Sequence, residues 1–170
     1  MLIGILSDTH DNLALAERAA RILMDRGVDM VVHLGDIVSP FTLRRLASLL
    51  DVEMKGIFGN NDGDKLLLYK IAAERGWSLE EQPRILELQD RRILLLHGFG
   101  AAEKTRSIVD ALALSGFFDA ILYGHTHSPD LRRLNGTLIL NPGAASGYLA
   151  EKPSVAVLDI SDMRAEIIYI

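Results

Sequence analysis

The sequence predicts an α/β fold in which two stacked sheets carry helices on their outer faces. Three observations lead there. The 170 residues are 49% hydrophobic and 24% charged, a globular balance, and a chain of this length buries roughly 70% of the surface its unfolded form would expose. Short apolar runs alternate with amphipathic stretches through the first two-thirds of the chain. After Gly124 that alternation stops, and short strands follow one another across turn signals. A single domain over residues 1–170 is expected, because no repeat, low-complexity tract or linker divides the chain.

The elements follow in order. Leu2 to Ser7 is an apolar run closed by Asp8 and reads as a strand, and Leu13 to Arg26 is an amphipathic helix. Strand Met30 to Leu34, helix Phe41 to Leu50, strand Glu53 to Phe58 and helix Asp64 to Glu74 repeat the pattern. Strands Arg84 to Leu88 and Arg92 to His97, helix Glu103 to Leu114 and strand Ala120 to Tyr123 complete it. Such βαβ alternation implies a mostly parallel sheet with right-handed crossovers. Beyond it, strands Leu131 to Leu134, Thr137 to Leu140, Ser154 to Ile160 and Ala165 to Ile170 are joined by Asn135-Gly136 and Ser161-Asp162. That last third is expected to be antiparallel.

Composition excludes several functions. With no cysteine, the chain builds no disulfide framework, thiolate zinc site, Fe–S cluster or cysteine nucleophile. A net charge of −5 lacks the basic excess of a general nucleic-acid binder, so no stable nucleic-acid partner is expected. The apolar start Met1 to Leu6 has no basic flank and meets Asp8 and His10 too early for a signal peptide. No apolar run approaches the ~18 residues of a membrane span. A cytoplasmic protein without membrane partners is expected.

Open α/β sheets bind ligands at the carboxyl ends of their strands. Here the strand ends read Asp8-Thr9-His10, Gly35-Asp36, Gly59-Asn60-Asn61-Asp62, His97-Gly98 and Gly124-His125-Thr126-His127. Taken singly, each has an ordinary explanation: Asp8 or Asp11 as a helix cap, Gly35-Asp36 and Asn60 as turn residues, His97 as a buried ring bonded to a carbonyl. Taken together they bring two aspartates, one asparagine oxygen and four imidazoles to one edge. His125 and His127, two apart in extended chain, point to the same side. This oxygen and nitrogen set suits Mn, Fe, Co, Ni or Zn. Two divalent ions about 3.5 to 4 Å apart need a shared carboxylate and open positions, and seven ligands with one shared meet that need. Two such ions would bring the net charge from −5 to about −1, leaving a locally positive cleft that attracts phosphate.

In that order, these blocks resemble the five signature blocks of the calcineurin-like metallophosphoesterase superfamily, and Leu6-Ser7-Asp8-Thr9-His10 resembles its small YfcE-type branch. Asn141-Pro142-Gly143-Ala144 resembles a further segment of that branch, so nearly the whole chain is covered. The resemblance implies a four-layer αββα sandwich with two mixed β-sheets and flanking helices. It implies that Asp8, His10 and His127 bind one metal, that Asn60, His97 and His125 bind the other, and that Asp36 bridges them. Manganese is the ion it favours, with nickel, iron, cobalt or zinc as substitutes.

The activity expected is phosphodiester hydrolysis by a metal-bridging hydroxide, with Asp36, Asn60, Asn61 and His125 in the catalytic roles. Many members carry His directly after the Asn ligand, where it protonates the leaving group; this chain has Asn61. An amide is no general acid near pH 7, so small diesters with good leaving groups are the expected substrates. Two alternatives stand beside this reading. One is a protein-interaction scaffold like the retromer subunit Vps29, which resembles this branch but departs from the ligand set. The other is a phosphomonoesterase or nuclease using the same centre. A homodimer would be in keeping with the branch.

Several neighbours read as structural. Asn12 and Asp11 are expected at the first helix cap or behind His10, and His33 as a buried ring with a satisfied hydrogen bond. Asp62 either supports the site or starts the next helix. Arg132 and Arg133 are expected to face solvent. Trp77 with Leu79 reads as core or subunit contact.

Overall fold

A computed structural model describes residues 1–170. The chain order is β1 (Leu2–Leu6), α1 (Leu13–Asp25), β2 (Met30–His33), α2 (Pro40–Ala47), β3 (Glu53–Ile57), α3 (Lys65–Glu74), β4 (Ser78–Glu80), β5 (Arg84–Leu88), β6 (Arg91–Leu96), α4 (Ala102–Leu114), β7 (Ala120–Tyr123), β8 (Asp130–Leu134), β9 (Thr137–Asn141), β10 (Ser154–Asp159) and β11 (Arg164–Tyr169). One sheet has six strands in the order β11-β10-β1-β2-β3-β4, and the other five in the order β5-β6-β7-β9-β8. Both are mixed. In the first, β1 to β4 are parallel while β10 runs antiparallel to both β1 and β11.

The two-residue period of a strand sorts side chains between layers. Leu6 packs with Ala16 and Leu23 of α1, Leu43 of α2 and Leu68 of α3. Ile3 and Ile5 face the opposite way and meet Leu95, Leu122 and Leu140 of the second sheet. On the far side, Ile121 and Tyr123 pack against Val109 and Ala113 of α4. The layers are therefore α1–α3, sheet, sheet, α4, the expected αββα sandwich. No helix is long and apolar enough to cross a membrane.

Two strand assignments differ from the sequence reading. Ser78–Glu80 forms β4, parallel to β3, although three residues with one buried side chain leave no readable alternation. The last third is not uniformly antiparallel, because β9 lies parallel to β7 and is inserted between β7 and β8. Burial explains the order. All five residues of β9 are buried, whereas β8 carries half-buried and exposed positions in alternation, so the apolar strand takes the interior and the charged one the edge.

Trp77 is core, 5% exposed, and its Nε1 donates to the Val52 carbonyl at 3.0 Å. Arg133 is exposed as expected. Arg132 is half-buried instead, between Asp130 and Asp110 at 3.0 and 2.5 Å; its aliphatic stem covers the sheet while its head meets two carboxylates.

Helix starts fix the loops that leave the strand ends. Asn12 caps α1 through Leu15 N, Ser39 caps α2 through Phe41 N, and Asp64 caps α3 through Leu67 N. Each cap satisfies an orphan backbone donor, and each closes a loop that carries candidate site residues.

Candidate metal centre

Strands β1, β2, β3, β6 and β7 all deliver their carboxyl ends to one edge of the sheet pair. Beyond those ends the backbone turns sharply. Asp8, His10, Asp36, His125 and His127 have φ of 53°, 46°, 56°, 67° and 56°. Left-handed conformations at non-glycine residues cost roughly 1–2 kcal/mol each. They persist because the loops hold one another: Asp8 N donates to Gly35 O at 3.1 Å, His10 N to Asp36 O at 2.9 Å, and Ser146 N to Asp8 O at 3.0 Å. This corrects the expectation for His125 and His127. They do not project from an extended strand to the same side; the left-handed turn after Tyr123 sends them to different neighbours.

The seven expected residues come together as two groups that share Asp36. One ligand atom each from Asp8, His10, Asp36 and His127 lie within 4.8 Å of one another. In the other group, the Asn60 Oδ1 lies 3.0 Å from His97 Nε2 and 2.9 Å from His125 Nδ1. Asp36 faces both: its Oδ2 is 3.8 Å from His10 Nε2 and its Oδ1 is 3.4 Å from His97 Nε2.

The hydrogen bonds of the donor set fit it to metal cations. His97 Nδ1 lies 2.7 Å from Leu34 O, His127 Nδ1 lies 2.5 Å from Tyr148 O, and His125 Nε2 lies 2.5 Å from Gly100 O. A carbonyl only accepts, so each of those nitrogens carries the proton and the other nitrogen of the neutral ring offers a lone pair. Those lone pairs point at Asp8 Oδ1, 3.1 Å from His127 Nε2, and at Asn60 Oδ1. Acceptors facing acceptors call for a cation between them. One further atom makes the same point: His10 Nε2, like Asp8 Oδ1, is buried with no hydrogen-bond partner, a costly arrangement unless an ion meets them.

The carboxylates of the site favour charge on its imidazoles. Burial disfavours charge on His97, but the Asp36 and Asp8 carboxylates and the Leu34 carbonyl outweigh it and raise its pKa. The Asp8 carboxylate beside its ring raises that of His127 against its own burial. Burial works to raise both aspartates, yet Asp36 is held well below the carboxylate range by His97 and Asn61, and Asp8 is lowered by His127, His97 and Ser7.

Supporting side chains complete the site. Ser7 Oγ and His125 N donate to Asp8 Oδ2 at 2.5 and 3.1 Å, which leaves Oδ1 for the centre. Asn61 donates through N and Nδ2 to the two oxygens of Asp36 at 2.8 and 2.7 Å. Asp62 supports the site rather than starting the helix. Its Oδ2 accepts from Asp36 N and Gly59 N at 2.9 and 2.7 Å, and its Oδ1 from Val38 N at 2.7 Å.

His33 is fully buried. Gly35 N donates to its Nδ1, so its Nε2 faces Thr9 Oγ1 as donor, and burial lowers its pKa to about 4. Two glycines permit the close approach: a Cβ on Gly59 would lie 2.2 Å from Asp36 Oδ1, and one on Gly124 would lie 2.1 Å from Ser7 Oγ.

Sequence reasoning missed two contributors. Gln82 accepts from His97 N and Gly98 N through Oε1 at 2.7 and 3.1 Å, and Tyr148 supplies the carbonyl that orients His127. Neither lies in a strand-end block, and neither side chain is of a metal-binding type. Asn141 was within reach, since its segment stood out; its Nδ2 donates to Gly124 O and Thr126 Oγ1, both at 3.0 Å, and so fixes the His125 loop.

Residues 1–163 match the family described as the calcineurin-like phosphoesterase superfamily domain. A phosphodiesterase of Methanocaldococcus jannaschii, MJ0936, is 32% identical over 94% of this chain and 93% of its own. A solved structure described as a novel archaeal phosphodiesterase is 30% identical, covers 100% of both chains and superposes with a TM-score of 0.90. Chaetomium thermophilum Vps29 shares the fold, with a TM-score of 0.70 at 17% identity, over 100% of this chain and 92% of its own.

Proposed function

For a chain that belongs to the calcineurin-like phosphoesterase superfamily, we propose hydrolysis of small phosphodiesters at a centre of two divalent ions. Manganese is the leading ion, with nickel, iron, cobalt or zinc as substitutes. Asp8, His10 and His127 would hold one ion, Asn60, His97 and His125 the other, with Asp36 shared. The single observation that carries this reading is the convergence of unpartnered polar atoms, Asp8 Oδ1 and His10 Nε2 buried without partners beside three imidazole lone pairs. When bound, the ion pair supplies an activated water nucleophile at neutral pH and neutralises charge on the phosphoryl oxygens.

The chain's own residues do the rest. Ser7 and the His125 amide turn Asp8 so that one oxygen faces inward. Asn61 and Asp62 hold the shared Asp36 from two sides, one through its carboxylate and the other through its backbone. The carbonyls of Leu34, Tyr148 and Gly100 fix the tautomers of His97, His127 and His125. The residue after Asn60 is Asn61, whose amide is no general acid and is occupied by Asp36. The departing oxygen therefore takes its proton from solvent, and diesters with good leaving groups are favoured. A cysteine-free chain with an oxygen and nitrogen donor set suits the reducing cytoplasm, where we place it, as a monomer or homodimer.

The test is chelation followed by add-back of each ion, with bis-p-nitrophenyl phosphate as substrate. Activity should return with at least one ion. A protein shown by calorimetry to bind metal, yet inactive with all five, refutes the reading. Asp36→Ala separates an enzyme from a Vps29-like scaffold: both metal and turnover are lost in the first case, while partner binding survives in the second. The complete donor set weighs for the enzyme.

A further inference from the structure

Leu149 has a combination of properties that folding alone does not favour. It adopts a left-handed conformation, φ 54°, and is 94% exposed. A glycine or asparagine would sit in this turn, closed by Ala150 N on Gly147 O at 3.3 Å, with less strain and no apolar surface in water. The leucine is also not free to move away. The preceding Tyr148 is pinned three ways: its carbonyl to His127 Nδ1 at 2.5 Å, its hydroxyl to Asp11 Oδ1 at 3.1 Å, and its amide to Ser146 Oγ at 3.3 Å. Its ring stands 5.7 Å from that of His10, tilted by 51°. Across one trans peptide, the Leu149 Cα lies within about 6 Å of the His127 ring nitrogen. An aromatic ring held beside His10 and an exposed leucine on a strained backbone therefore stand next to each other at the rim of the candidate centre.

We propose that Tyr148 and Leu149 form a specificity wall that takes an apolar, planar group carried on the substrate's phosphorus, such as an aryl ester or a nucleobase-like ring. This rests on the phosphodiesterase reading above and names the substrate class it leaves open: diesters with at least one flat apolar substituent, rather than purely aliphatic or highly charged ones. Tyr148 supplies the face and Leu149 the edge. Because Tyr148 is held to the site by its carbonyl, amide and hydroxyl, its face is offered to the group with little ordering cost.

The experiment compares phenylphosphonate and methylphosphonate as competitive inhibitors of bis-p-nitrophenyl phosphate hydrolysis, in the metal-loaded wild type and in Leu149→Gly and Leu149→Met. The wild type should bind the phenyl compound more tightly. Leu149→Gly should lower the phenyl-over-methyl ratio roughly five- to tenfold, the lower end of what one apolar pocket contact discriminates. The same variant should raise the melting temperature of the metal-free protein by about 2–4 °C as the strain is relieved, and Leu149→Met should restore the ratio.

A wild type with no phenyl preference, or a ratio unmoved in Leu149→Gly, overturns the wall while leaving the phosphodiesterase reading intact. So does a change of sedimentation coefficient in Leu149→Gly, which would mark Leu149 as a contact between copies of the chain. Absence of turnover in the metal-loaded wild type would instead refute the reading of function.

Discussion

Asp62→Asn replaces one atom and tests how the site is supported. The carboxylate of Asp62 accepts three backbone N–H bonds, two at Oδ2 from Asp36 and Gly59 and one at Oδ1 from Val38, between 2.7 and 2.9 Å. The amide can keep only the two-donor side. Its oxygen turns toward Asp36 and Gly59, and its NH2 then meets the Val38 N–H donor to donor. One buried donor left unsatisfied costs about 1–3 kcal/mol, and two charge-assisted bonds that become neutral lose about 0.5–1 kcal/mol each. The expected loss is about 3 kcal/mol, within the 5–15 kcal/mol of a typical domain, so the variant should fold.

Its second effect falls on the shared carboxylate, whose backbone amide is one of the three donors. Loss of such outer support weakens metal binding about 10- to 100-fold. Denaturant unfolding of the metal-free protein and calorimetric titration with Mn2+ measure the two quantities. A stability change below about 0.5 kcal/mol together with unaltered Mn2+ affinity would refute the role assigned to Asp62.

Other substitutions test neighbouring parts. Gly59→Ala places a methyl 2.2 Å from Asp36 Oδ1; displacing that carboxylate by about 1 Å should cut turnover on the order of 100-fold, and wild-type rates would contradict the packing. His33 is fully buried with its pKa lowered to about 4, so between that value and its unfolded value near 6.5 the unfolded chain binds the extra proton. Stability should therefore fall as pH drops through this window, by about 3 kcal/mol at its lower end, and denaturation of His33→Gln should show a flatter profile than wild type. Asn61→His should raise rates on diesters with poor leaving groups at least tenfold relative to nitrophenyl diesters; equal effects on both would rule out proton supply as the reason for the substrate bias.

The proposed ligand set was legible because metal chemistry confines it to few residue types and open α/β sheets confine it to strand ends. Asp8, His10, Asp36, Asn60, His97, His125 and His127 each follow a strand, and an apolar run makes each strand visible. The residues that shape the set were harder to read, since their roles come from backbone geometry. The left-handed turns at Asp8, His10, Asp36, His125 and His127 leave no mark in composition, and they sent His125 and His127 apart where an extended reading joined them. Gln82 and Tyr148 act through one amide oxygen and one carbonyl, which local pattern does not reveal. The place of β9 between β7 and β8 depended on total burial rather than on the Asn135-Gly136 turn, which predicted the hairpin but not which strand would lie inside.

The pairing of β10 with β1, Leu2 beside Asp159 and Ile5 beside Ala156, bears on synthesis at the ribosome. Strand β1 is made long before β10 and gains its second neighbour only once β10 has followed it. Until then it presents an open hydrogen-bonding edge, the feature by which nascent chains stick to one another. The loop that seats Asp8 against Ser146 closes in the same late interval. Every shortened translation product lacking the last two strands thus carries an unfinished sheet and an exposed seam. Such products expose the kind of surface that chaperones bind, and β1 passes through the same unpaired stage each time the chain is made.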